Sequence, residues 1–188
     1  MLKEQQILVA FGGNLPLEGE RPLEVIERAL SRLQDLGFSL NAVSSFYQTP
    51  CFPKGAGPDY VNGALSIGSD MAPTEILETL HKVEHEFGRE RVSRWAGRTL
   101  DLDLLAVDDL ILPDLVTQRH WVDLPLEQQT RQAPEQLILP HPRIQDRSFV
   151  LIPLKDVAPD WKHPVLGKTV QEICAELPKE EVETVVRL

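Results

Sequence analysis

At 188 residues, 42% hydrophobic and 26% charged, the chain has the composition of one globular domain with a sizeable core. A formal net charge of −10 excludes a general nucleic-acid binder, which needs a broad basic surface, and no apolar run reaches the roughly 18 residues of a membrane span. Cys51 and Cys174 make neither a disulfide framework nor a metal-ligand spacing, and the N-terminus leads into an apolar run rather than a signal peptide, so the expectation is a soluble, cytoplasmic protein.

Ile7 to Phe11 is a short apolar run and reads as a buried strand. Gly12-Gly13-Asn14-Leu15 reads as a turn, where glycine permits positive φ and close backbone approach. A glycine turn after a strand can cradle phosphate, but this is neither a Walker A motif nor a GxGxxG, and alone it reads first as a plain turn. Pro22 suits the start of a helix, and Leu23, Ile26, Ala29, Leu30 and Leu33 repeat at helical spacing to about Leu36, with Gly37 as the stop. Phe38 to Tyr47 reads as a second strand. Thr49 to Asp59 is a Pro/Gly loop, and long loops in compact domains are often functional. Tyr60 to Ile67 reads as a third strand with Tyr60, Asn62 and Ala64 on one face. An aromatic ring beside an amide suits a flat, hydrogen-bonding heterocycle, although alone the pair is as readily a partly buried Tyr and a turn Asn.

Pro73-Thr74-Glu75 opens a second amphipathic helix whose stripe is Ile76, Leu77, Leu80, Val83 and Phe87, ended by Gly88. Glu84 neighbours Leu80 and Phe87 on it. Arg89 to Gly97 is a polar loop with one aromatic, Trp95. Thr99 to Val107 then alternates as a strand: Leu100, Leu102 and Leu104 share one face, and Thr99, Asp101 and Asp103 share the other. Two carboxylates at that spacing lie about 6–7 Å apart at their α-carbons and repel one another. A divalent cation relieves the repulsion, and Mg²⁺ commonly takes one or two carboxylates plus substrate phosphates. Asp-x-Asp alone is common on solvated edge strands. Arg89, Arg91, Arg94 and Arg98, clustered in an acidic chain, shift the reading to a compact phosphate ligand such as a nucleotide.

Asp108-Asp109 marks a turn, and Leu110 to Leu112 suits a short strand. Residues Pro113 to Gln136 show little periodicity and read as a long surface excursion with at most a helical turn. His141 stands between two prolines. Asp146 to Leu154 reads as a charged helix turn leading into an apolar segment, and Thr169 to Leu177 as a final short helix. The order strand, helix, strand, strand, helix, strand is the ferredoxin-like βαββαβ pattern of an α+β fold. It predicts one domain over 1–188, an antiparallel sheet with helices on one face, and C-terminal additions.

Several short motifs now line up. They are Ser44-Ser45-Phe46-Tyr47-Gln48-Thr49-Pro50, Pro58-Asp59-Tyr60-Val61-Asn62, Gly88-Arg89, Arg94-Trp95, Arg98-Thr99-Leu100-Asp101-Leu102-Asp103, Leu139-Pro140-His141-Pro142-Arg143 and Pro153 to Pro159. In this order and at this spacing the chain resembles the 6-hydroxymethyl-7,8-dihydropterin pyrophosphokinases of the folate pathway. The resemblance implies transfer of pyrophosphate from ATP to the pterin hydroxymethyl group, leaving AMP, with Asp101 and Asp103 holding two Mg²⁺ ions. It implies that Glu84, Arg89, Arg98, His141 and Arg147 bind ATP. It places Arg89, Arg91, Arg94 and Trp95 on a catalytic loop that closes over the substrates. Thr49, Pro50, Phe52, Tyr60, Asn62, Trp95 and Phe149 would form the pterin pocket. The implied partners are the two small substrates, with no nucleic acid, no membrane and a monomeric chain.

The chain departs from the family pattern at Gly12-Gly13-Asn14, where Gly-Ser-Asn is usual, and at Ala96-Gly97, where Gly-Pro is usual. It departs again at Cys51-Phe52 and in the length of Pro113 to Gln136. The residues taken without the resemblance leave two other readings open. One is a ferredoxin-like regulatory module that binds a nucleotide without chemistry, and the other is a metal-dependent phosphohydrolase on the same carboxylates.

Overall fold

The computed structural model describes residues 4–51, 54–88, 97–129 and 131–188. Among them run β1 (Gln5–Gly13), α1 (Pro22–Asp35), β2 (Ser39–Val43), β3 (Tyr47–Thr49), β4 (Tyr60–Ser69), α2 (Pro73–Glu86) and β5 (Asp101–Val107). The C-terminal part adds α3 (Leu115–Asp123), α4 (Leu126–Gln129), a 3-10 turn (Ile144–Asp146), α5 (Ser148–Val157), α6 (Val170–Ala175), α7 (Lys179–Val182) and β6 (Val186–Arg187). The strands form one sheet in the order β5-β1-β4-β3-β6, with β2 also paired to β4. Every pairing is antiparallel. This mixed architecture, an antiparallel sheet with helices packed on it, is the expected one, and its strand order is compatible with the ferredoxin-like pattern.

β1 explains why the sheet is layered on both sides. Its apolar run is continuous, so residues of both parities must be buried. Ile7, Val9 and Phe11 face the stripes of α1 (Val25, Ile26, Ala29, Leu30, Leu33) and α2 (Ile76, Leu80, Val83). Leu8 and Ala10 face the other way and pack with Val150, Leu151 and Leu154 of α5 and Val170 and Ile173 of α6. Helices therefore cover both faces, not one as the pattern predicts, because the apolar C-terminal segment supplies a second layer.

The differences from the expected elements have local causes. Gly12 and Gly13 are the last residues of β1, not a turn. A Cβ on Gly12 would lie 2.4 Å from Asn62 Oδ1, and one on Gly13 would lie 2.5 Å from the Thr99 carbonyl oxygen, so glycine serves close approach. The strand expected over Phe38 to Tyr47 is interrupted between β2 and β3. There Ser44 takes over the ladder, its amide donating to Ala64 O and its Oγ accepting from Ala64 N. Leu110 to Leu112 makes no strand, only an isolated bridge from Leu112 to Leu139. The Pro113 to Gln136 stretch holds more helix than its composition suggests, with α3 capped by Asp114 accepting from Thr117 N at 2.9 Å. β6 is too short to show alternation and pairs with β3.

A cross-strand contact yields a stability test. Phe11 pairs with Gly63, and a Cβ on Gly63 would stand 2.0 Å from Phe11 Cζ, so the ring lies on bare backbone. Phe11 is 2% exposed and cannot swing into solvent without emptying its place in the core. Gly63→Ala should therefore lower the unfolding free energy by about 1–3 kcal/mol, the usual cost of overpacking, read as a lower urea midpoint at unchanged slope. A midpoint equal to the parent's would show that the ring is not seated there.

Candidate active site

The second layer does not cover the whole sheet. At the end where β1 finishes and β5 begins, a cavity of about 500 Å³ opens between the sheet and the start of α5. The residue alternation of β5 explains what faces it. Leu100, Leu102 and Leu104 enter the core with α1 and α2, which turns Asp101 and Asp103 toward the cavity. Each carboxylate has an arginine beside it. Arg98 donates to Asp101 Oδ2, and Arg147 Nη1 lies 3.6 Å from Asp103 Oδ2. Burial works against the Arg98 charge, but Asp101 and Asp103 outweigh it and hold the guanidinium above its ordinary range.

β4 and β3 supply another wall. Tyr60 and Asn62 share a face of β4, and Asn62 Nδ2 donates to Thr49 Oγ1 at 2.6 Å. Asn62 is buried, with its Oδ1 against Gly12, so its orientation is fixed from two sides. Burial raises the Tyr60 phenol above its usual range and keeps it neutral. Pro50 adds to this wall, and Phe149 stands opposite on α5. Phe149 is 39% exposed with the Arg147 guanidinium 5.8 Å from its ring centre, an unusual amount of open aromatic surface beside a cavity.

His141 completes the end of the cavity that carries Asp101 and Arg147. Its amide donates to Leu105 O at 2.8 Å, which ties it to β5. Its Nδ1 accepts from Arg143 N at 3.1 Å, so the neutral ring carries its proton on Nε2. Burial first, then the charges of Arg147 and Arg143, push its pKa down to about 3, against the opposing pull of Asp101.

Ten of the residues singled out in the sequence thus line one cavity: Thr49, Pro50, Tyr60, Asn62, Arg98, Asp101, Asp103, His141, Arg147 and Phe149. Glu84 does not line it. It is 2% exposed on α2, and its Oε1 accepts from Leu102 N at 2.7 Å, between the two aspartates in sequence. Phe52, Arg89, Arg91, Arg94 and Trp95 lie outside the described residues. Two residues of the Gly12-Gly13-Asn14 stretch also belong here, although they are not among the site residues that the resemblance implies. Gly12 lines the cavity directly. Asn14, 4% exposed, donates through Nδ2 to Pro58 O at 3.0 Å and accepts at Oδ1 from Arg98 N at 2.8 Å, joining the end of β1 to two loops. Its signal was a polar residue directly after two glycines that end a buried strand.

The donor set suits a hard cation with few protein ligands. Asp101 and Asp103 offer carboxylate oxygens on one strand face, and no cluster of three or more Asp, Glu, His or Cys occurs among the described residues. That favours an ion completed by phosphates and water over a protein-enclosed site.

Comparisons with known proteins show the family. The family model of 7,8-dihydro-6-hydroxymethylpterin-pyrophosphokinase (HPPK) matches residues 8–159, a span that holds every cavity residue named above. A 2-amino-4-hydroxy-6-hydroxymethyldihydropteridine pyrophosphokinase of Pseudomonas aeruginosa is 36% identical over 180 residues, 95% of this chain and 96% of that protein. The protein of that name from Synechocystis sp. is 35% identical over 168 residues, 88% of this chain and 73% of the relative. Among solved structures, a Plasmodium falciparum HPPK-DHPS variant with pterin and p-hydroxybenzoate matches with a TM-score of 0.66 and 13% identity, over 98% of this chain and 47% of that one. This last likeness concerns the fold, and the chain spans about half of that longer protein.

The imidazole geometry is open to direct measurement. His141 should stay neutral from pH 8 to pH 5, with its proton on Nε2, in ¹⁵N-correlated NMR of the ring. The unfolded chain takes up that proton near pH 6.5 while the folded ring refuses it until about 3, so His141 should cost stability progressively as pH falls below 6.5. A ring that titrates near 6.5 in the folded protein would contradict the half-buried, Arg143-bonded arrangement.

Proposed function

We propose how the cavity works from one premise: the chain belongs to the 7,8-dihydro-6-hydroxymethylpterin-pyrophosphokinase family. It is a 2-amino-4-hydroxy-6-hydroxymethyldihydropteridine pyrophosphokinase, a transferase of folate biosynthesis. The reaction moves an intact pyrophosphoryl group from ATP to the hydroxymethyl oxygen of 6-hydroxymethyl-7,8-dihydropterin and leaves AMP. The observation that supports the following assignment of residues is the Asp101/Asp103 pair facing one cavity with Arg98, Arg147 and the amide of Asn62.

Asp101 and Asp103 would hold magnesium, two ions in our reading, with the triphosphate supplying the remaining oxygens. When bound, the metal would supply neutralisation of phosphate charge. The chain's own groups do the rest by position and charge, which is most of what phosphoryl transfer asks of a protein. Arg98 and Arg147 face phosphate oxygens and balance the aspartates when no nucleotide is bound. Neutral His141 offers its Nε2–H as a donor that does not compete for cation charge. Glu84 fixes the backbone between the two aspartates and acts on the nucleotide through them.

The pterin is assigned to the other wall. Tyr60 and Phe149 supply aromatic surface for a flat ring, with Thr49 and Pro50 at its edge. Asn62, held by Thr49 and backed by Gly12, presents its amide to the ring's donors and acceptors. Burying the hydroxymethyl group between this wall and the phosphate end sets the attacking oxygen near the β-phosphorus and keeps water from competing. Phe52, Arg89, Arg91, Arg94 and Trp95 join the site on the strength of the sequence resemblance alone. A single chain is the working unit in this reading. Cys51 and Cys174 form no disulfide among the described residues, which suits a reducing cytoplasm.

Asp101→Ala and Asp103→Ala are each expected to lower kcat by about 10²–10³ or more, with far-ultraviolet circular dichroism unchanged. Chelation of Mg²⁺ should abolish pterin-dependent AMP formation, and added Mg²⁺ should restore it. A double alanine variant that turns over at the parent rate would overturn the assignment.

A further inference from the structure

The geometry points to Gln118 as a positioning residue for the phosphate end of the cavity, acting through His141; this rests on the reading of His141 as a phosphate contact. Gln118 is on α3, in the stretch that showed no periodicity, and it lines no part of the cavity. It is the helix's one buried residue, at 0% exposure, while Leu115 and Val116 on the same helix are 42% and 80% exposed. The helix has thus buried an amide and left apolar side chains in solvent. That choice is costly unless the amide bonds something that matters, and its Oε1 has no hydrogen-bond partner among the described residues.

What it bonds is the Pro140 carbonyl, by Nε2 at 3.2 Å. The backbone around His141 is otherwise fully held. Leu139 exchanges both hydrogen bonds with Leu112, at 2.9 and 3.1 Å, His141 N donates to Leu105 O, and His141 O accepts from Ile144 N at 3.2 Å. Proline has no N–H, so the carbonyl is the single handle on Pro140. Gln118 takes it. The carbonyl belongs to the peptide that joins Pro140 to His141, so this contact fixes the plane from which the imidazole departs toward the cavity.

The test uses the full chain with Mg²⁺ and α,β-methylene ATP, an analogue that cannot be cleaved at the reacting bond. Calorimetry gives its Kd, and steady-state kinetics give the pterin KM. Gln118→Met keeps the volume and removes the donor; Gln118→Glu keeps the shape and sets an acceptor against the carbonyl. Each should weaken the analogue about five- to tenfold, the value of one lost hydrogen bond, with the pterin KM within about twofold of the parent. In a His141→Ala background the same changes should have no further effect, which a merely structural role would not produce. Parent-like affinity in both Gln118 variants, or equal losses with and without His141, would overturn the proposal alone. Parent-like affinity in His141→Ala would overturn it together with the reading of His141.

Discussion

Two negative charges that share one strand face dominate this molecule. Asp101 and Asp103 would repel each other in a half-buried wall, so everything near them either compensates charge or holds β5 still. Arg98 and Arg147 compensate. Leu100, Leu102 and Leu104 anchor the opposite face of the strand beneath α1 and α2. β5 ends the sheet path, bonded to β1 on one side, and an edge strand leaves its outer amides to find other partners. The Glu84 carboxylate meets the Leu102 amide on that strand, so a buried acid on a helix steadies the stretch that carries both aspartates.

The cavity depends equally on crowding at the end of β1. Gly12 and Gly13 admit Asn62 on one side and the Thr99 carbonyl on the other, distances that any side chain would forbid. Asn14 then spans the gap between Pro58 and Arg98, the ends of the loops that carry the pterin-side and phosphate-side residues. The glycines set how close the walls come, and the asparagine sets how the loops are held. Where the family usually has serine, Gly13 lets the Thr99 carbonyl come within 2.5 Å of the place a Cβ would take.

Much of this was legible in sequence because it follows from periodicity. The stripes of α1 and α2 and the alternation that turns Asp101 and Asp103 together are statements about 3.6 and 2.0 residues per repeat, and the structure keeps them. Less local features were not legible. Nothing near Gly12 shows that Asn62 will press against it from another strand. The second helical layer follows from β1 being apolar at every position, a cue that also fits an ordinary buried strand. α3 escaped because its one buried residue is an amide, so no apolar stripe marks it. For Glu84 the family resemblance implies an ATP contact, whereas its carboxylate accepts from the Leu102 backbone, a partner that helix spacing does not reveal.

The central claim is that Asp101 and Asp103 jointly hold the divalent cations of a nucleotide complex. Paramagnetic broadening tests it most directly: Mn²⁺ is titrated into isotope-labelled protein saturated with α,β-methylene ATP, and the side-chain signals of Asn62 and His141 are followed. Both should broaden at substoichiometric Mn²⁺ in the parent and stay sharp in the Asp101→Ala, Asp103→Ala double variant. Equal broadening in the two proteins would show that the metal reaches the cavity without the aspartates and contradict the account.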